Sequence, residues 1–178
     1  TPQADEATGR VAYLTLPNSR AYYEKFGSGG SEVLAADAVA AFNATYKTFD
    51  VGVLDGDGDG TADNLLVIPE VGNDAPKDGA SPLWPRRSDI GSETYLVGGG
   101  SRVRAVGFTL VDTSHLQGAG TVIHETIHAF GAKDLYRAGS FVESAGGKPV
   151  GVWDIMAQHG GSKLMRPLVI TLQDCGWA

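Results

Sequence analysis

The chain has little cysteine, little positive charge and no long apolar run, and each lack excludes something. Cys175 is the one cysteine among 178 residues, so no internal disulfide can form. Its apolar flanks in the C-terminal segment mark it as a small buried hydrophobe. Lysine and arginine number 14 against 21 aspartates and glutamates, a net charge of -7 with a pI near 4.9. Such a surface repels a phosphate backbone or an anionic membrane, so neither nucleic acid nor membrane is expected as a partner. No apolar stretch approaches the ~20 residues of a membrane span. There are no internal repeats. The chain opens at Thr1 without methionine, which is expected of a processed, secreted, extracellular protein. Composition is otherwise that of a soluble globular protein, 42% hydrophobic and 20% charged, long enough for one core, and a single domain and a monomer are expected.

Histidine is scarce as well, four in all, yet two fall in the stretch HETIHAFGAKDLY, residues 124–136. On a helix His124 and His128 project from one face, a turn apart. Two imidazoles so placed can hold one zinc ion. Glu125 points about 100° round the helix and reaches a water on that metal without ligating it, the position of a general base. Gly131 can end the helix in the left-handed conformation, letting the chain double back so that Asp134 offers a carboxylate. Two histidines and a carboxylate leave a fourth position open, the mark of a catalytic zinc site. Ile123, Ile127 and Phe130 give the helix a separate apolar face.

A second chemical stretch is VLDGDGDGTADNLLVIP. Asp55, Asp57, Asp59 and Asp63, with the carbonyl of Thr61, take the oxygen positions of a calcium loop, and Gly60 supplies its sharp turn. Four of the fourteen aspartates lie within nine residues, and a divalent cation relieves their repulsion. Leu66 stands where a sensor loop needs a bidentate glutamate, so a structural calcium clip before a strand is expected. The competing interpretation is a merely solvated acidic turn.

Elsewhere, residues 11–16 read as a strand stopped by Pro17 and Asn18. The segment 21–30 is loop-like at its glycines. Residues 32–47 have helical apolar spacing with Ser31 as N-cap, a helix to pack against a sheet. Residues 65–68 read as a buried strand. Residues 72–101 read as a long irregular excursion ending in a flexible GGGS, a candidate wall for the cleft, and residues 102–111 as another strand. His115 has no partner spacing and is assigned to the surface. Met156 falls in a turn-prone stretch. Leu164, Leu168, Leu172 and Cys175 keep helical spacing, with Pro167 near the helix start, and Trp177 is expected in the core.

HETIHAFGAKD fits HExxHxxGxxD, a variant of the metzincin zinc signature with aspartate in third place, and IMA around Met156 looks like the methionine turn of that clan. With TLPNSRAYYE, DGDGDGTADNLLVI, PLWPRRS, KDLY and GVWDIMAQ, the chain most resembles the catalytic domain of the immune inhibitor A family of secreted bacterial metallopeptidases, from about Val11 to Trp177. The resemblance implies an α+β zincin: a twisted mixed sheet with an active-site helix and a backing helix, an upper part about 1–131, and a lower part about 132–178 holding the methionine turn and last helix. It implies a zinc endopeptidase acting on protein or peptide substrates. Glu125 would take the water proton, and Tyr136 or His159 would donate to the developing oxyanion. His159 could also replace Asp134 as third ligand. A silent calcium- and zinc-stabilised binding module, which gives Glu125 no task, and a zinc amidase acting on cell-wall peptides are the alternatives.

Overall fold

The computed structural model describes residues 12–70, 83–91, 93–113, 119–136, 150–157 and 165–178. It is a mixed α+β protein with a few helices and small sheets. The chain divides into two compact units, residues 1–67, 76–84 and 88–108 in one, and 68–75, 85–87 and 109–178 in the other. No helix among the described residues is long and apolar enough to cross a membrane.

The first unit is built on α2, Gly30–Thr45. Its run of alanines favours helix, and Glu32 lies in the first turn, where a negative charge suits the helix dipole. Ser31 lies inside this helix and Gly29 is the N-cap, because the short helix α1, Arg20–Glu24, and a 3-10 turn over Gly27–Gly29 already deliver the chain in helical geometry. The segment read as loop-like at its glycines carries α1 ahead of them, and Gly27 and Gly29 themselves lie in the 3-10 turn. Residues 12–16, read as strand, form no regular element.

Val39 of α2 packs with Val51, Ala62, Leu96, Val103 and Ala105, and Phe42, Phe49 and Leu54 close over them. The sheet face beneath is a hairpin of β3, Tyr95–Gly98, and β4, Ser101–Arg104, paired antiparallel with Gly98 opposite Ser101. Asn43 of α2 ties the helix to it, accepting from the Val97 N–H and donating to the Tyr95 carbonyl, both at 2.8 Å. Gly99 and Gly100 both have positive φ, 59° and 88°, the combination that closes a two-residue hairpin. GGGS is thus a tight turn and not a flexible tail.

The expected excursion over 72–101 likewise contains β2, Arg86–Asp89, as well as β3. The strand expected at 102–111 is broken into β4 and β5, Gly107–Leu110. β1, Leu65–Val67, joins β5 and β2 in the order β1-β5-β2. β1 is not buried as expected: Leu66 is 44% exposed, since only alternate side chains of a strand face one side.

In the second unit, α3, Ala119–Ile127, and α4, Val169–Asp174, accompany a core of Ile127, Ala132, Ile155 and Met156. α4 begins after Pro167 and Leu168, because proline cannot continue the backbone hydrogen bonds of a helix interior. Trp177 is not in the core. It is half exposed and lies against the Phe130 ring, centroids 5.1 Å apart.

Candidate metal centre

The helix that carries the histidines tightens and stops as soon as it has presented them. α3 ends at Ile127, a 3-10 turn runs over His128–Phe130, and Gly131 follows at φ 98° with its N–H on the His128 carbonyl at 3.1 Å. The chain then folds back. The Ala132 carbonyl accepts from Nδ1 of His128 at 2.8 Å, and the Leu135 N–H donates to the Met156 carbonyl at 2.9 Å. Asp134, between these two anchors, brings Oδ1 to 3.1 Å from Nε2 of His124 and 3.3 Å from Nε2 of His128. On its other side, Nδ1 of His124 lies 2.9 Å from the Ile155 carbonyl.

A carbonyl only accepts, so both imidazoles carry a proton on Nδ1 and turn Nε2 toward Asp134. If the rings are neutral, two nitrogen lone pairs and a carboxylate oxygen face one another, an arrangement that repels unless a cation sits among them. Donor set and geometry therefore fit a metal ion. His128 is held more basic than usual, first by its hydrogen bond with Asp134. Burial alone would raise the Asp134 carboxyl, but hydrogen bonds from His124 and His128 keep it well below the usual carboxylate range.

Glu125 supplies a further carboxylate. One ligand atom each from His124, Glu125 and His128 lie within 4.8 Å of one another. Glu125 is 6% exposed. Burial foremost raises its carboxyl, against the opposing pull of the two histidines and a hydrogen bond with the Arg87 backbone. Burial of this kind makes a carboxylate more basic than it is in water. His124 is 1% exposed and Asp134 40%, so the centre meets solvent on the Asp134 side.

Tyr136 joins the same group. Its ring stacks on His124 with centroids 6.1 Å apart. Burial, then the charges of Asp134 and Glu125 and a hydrogen bond to Asp134, push its hydroxyl up to about 12. His159 and His115 lie outside the described residues.

Met156 is fully buried, and the turn around it also does polar work. The carbonyl just before it holds His124. No spacing in the sequence points to Asp154. It too is fully buried and accepts from the Met156 N–H, the Leu168 N–H and the Thr171 hydroxyl.

In the first unit, Asp55, Asp57 and Asp63 each offer a carboxylate oxygen, again within 4.8 Å of one another. Asp55 accepts from the N–H groups of Asp59 and Gly60 at 3.0 and 2.8 Å, and Asp59 from the Thr61 N–H at 2.7 Å. Gly60 has φ 81°. Arg104 of β4 anchors the loop, its N–H on the Gly60 carbonyl and its carbonyl on the Ala62 N–H, both at 2.9 Å. The structure thus draws three of the expected aspartates together and gives Asp59 a backbone partner.

The fold and site define a mixed α+β protein with a His-Glu-His group able to bind a metal ion. A scan against protein-family models finds no matching family, and searches of curated proteins and of solved structures find no match.

Proposed function

We propose that the chain is a secreted zinc-dependent endopeptidase that hydrolyses peptide bonds in protein or peptide substrates. The observation that carries this reading is the convergence of Nε2 of His124 and His128 on Asp134 Oδ1, with both Nδ1 atoms engaged by carbonyls. Ligand atoms on a tetrahedral shell of ~2.0–2.1 Å radius stand about 3.3–3.4 Å apart, the spacing of a zinc site. The 3.1 and 3.3 Å separations come close to it. A zinc ion bound there supplies Lewis acidity toward a water and a substrate carbonyl.

The chain's own residues then divide the remaining work. Glu125, buried and made more basic, takes the proton of the attacking water and passes it to the leaving amine, a contribution of ~10²–10⁴-fold. Tyr136, protonated throughout the neutral range, turns its one O–H from Asp134 to the oxyanion that develops on the substrate carbonyl. His124 and His128 are oriented from behind by the Ile155 and Ala132 carbonyls. Asp55, Asp57 and Asp63 form a calcium clip that stiffens the loop before β1, with Asp59 and Thr61 completing it.

The test is hydrolysis of denatured casein by the pure chain, with and without a zinc chelator, alongside metal analysis by mass spectrometry. Chelator-sensitive cleavage with one zinc per chain is expected. Bound zinc without cleavage of any protein substrate would sink the endopeptidase reading, and no zinc would sink the metal centre.

A further inference from the structure

We propose that Asp154 is a positioning residue for the metal centre, fixing the Ile155 carbonyl so that His124 is held in one tautomer and one orientation. The inference rests on the metal-centre reading above. It starts from a side chain with no solvent exposure at all, and burying a carboxylate is costly unless its oxygens are hydrogen-bonded. Here they are. Oδ1 accepts from the Met156 N–H at 2.6 Å, and Oδ2 from the Leu168 N–H and, at 2.8 Å, from the Thr171 hydroxyl.

The first of these bonds spans two residues and closes a ring around Ile155, the turn that an aspartate makes with its own backbone. Closing that ring sets the direction of the Ile155 peptide. The Ile155 carbonyl then meets Nδ1 of His124 at 2.9 Å, which places the proton on Nδ1 and leaves Nε2 as the ligand atom. The other two bonds lock the same carboxylate to the start of α4, 14 and 17 residues further on. Asp154 therefore connects the end of the fold to one metal ligand without touching the metal.

His128 provides an internal control. Its Nδ1 is held by the Ala132 carbonyl, just past the glycine turn, and Asp154 makes no bond to that segment, which is hydrogen-bonded to the Met156 turn through the Leu135 N–H. A positioning role is thus selective for His124, whereas a general loss of packing is not.

The experiment records long-range ¹H–¹⁵N correlations of the histidine side chains in the metal-free chain, together with zinc affinity by chelator competition, for wild type, Asp154→Asn and Thr171→Val. The amide can accept at only one of its two end atoms, so Asp154→Asn gives up either the bond to Met156 or the bonds to the start of α4, and the turn loses part of its support in both cases. The expected result is loss of the hydrogen-bonded Nδ1–H signal at His124 with that of His128 unchanged, and zinc binding weaker by ~10–100-fold. Thr171→Val, which keeps the bond to Met156, shifts both readouts in the same direction by less, and decides the matter if Asp154→Asn fails to fold. Equal disturbance of both histidines, or of neither, overturns the proposal. Zinc affinity unaltered by the substitutions overturns this inference alone, while a wild-type chain that binds no zinc overturns the metal centre along with it.

Discussion

His124 and Asp134 face each other across the glycine turn that ends α3, Nε2 to Oδ1 at 3.1 Å. That contact makes Asp134, rather than Glu125, the carboxylate best placed to complete the ligand set, because the same oxygen is also 3.3 Å from His128. Asp134→Asn keeps the shape and removes the charge. Zinc affinity should fall by more than the ~10–100-fold typical of residues that only orient a ligand. A chelator-competition titration checks this, and unchanged affinity would show that another carboxylate serves.

Glu125→Gln separates base from ligand. Hydrolysis should drop by roughly 10²–10⁴-fold while zinc content stays at one per chain. Loss of the metal together with activity would mean that Glu125, whose carboxylate lies within 4.8 Å of the histidine nitrogens, is a ligand instead.

What could be read from the sequence was local. His124, Glu125, His128, Gly131 and Asp134 lie within eleven consecutive positions, and helix period plus a glycine stop suffices to bring them together. α2 and the aspartate loop were legible for the same reason. The hairpin β3–β4 was not, because Gly99 and Gly100 look like a flexible tract until pairing demands two positive φ values. Asp154 was hidden because Leu168 and Thr171, which satisfy it, are distant in sequence and become its neighbours only once the chain has folded. Trp177 misled because aromatic character predicts contact with another ring, here Phe130, but not full burial.

Gly131→Ala tests the turn itself. At φ 98° a side chain is strained, and an added Cβ would come within 3.1 Å of the Asp174 carbonyl. A left-handed residue with a Cβ costs ~1–2 kcal/mol, which should lower Tm by roughly 2–8 °C for a chain of this length. Calorimetry checks it, and an unchanged Tm would show that the turn is not held in this conformation.

Tyr23 gives the fold an alkaline limit. Its hydroxyl donates to Asp37 Oδ2 at 2.9 Å. Burial first, then that carboxylate, raises it above the model-compound value of 10.0. A group raised on folding contributes stability that is complete below its unfolded pKa and lost as pH climbs through the folded one. Denaturant unfolding should therefore show this contribution intact below the ordinary tyrosine value of 10.0 and falling as pH rises above it, and Tyr23→Phe should flatten the fall. Equal slopes in both proteins would refute the assignment.

The aspartate loop predicts a separable calcium effect. Asp55, Asp57 and Asp63 crowd three carboxylates against a loop whose N–H groups already serve several of their oxygens, so backbone bonds offset only part of the repulsion. A cation bound to the folded loop alone adds RT ln(1 + [L]/Kd), about 2.7 kcal/mol at a hundredfold excess over Kd. Calcium added to chelator-treated protein should thus raise Tm, and Asp57→Asn, which removes one charge, should blunt the rise without altering zinc content. The two metals are distinguished because the loop and the histidine site belong to different compact units. A Tm indifferent to calcium would leave the loop a solvated acidic turn. A rise that survives Asp57→Asn in full would place the ion elsewhere in the chain.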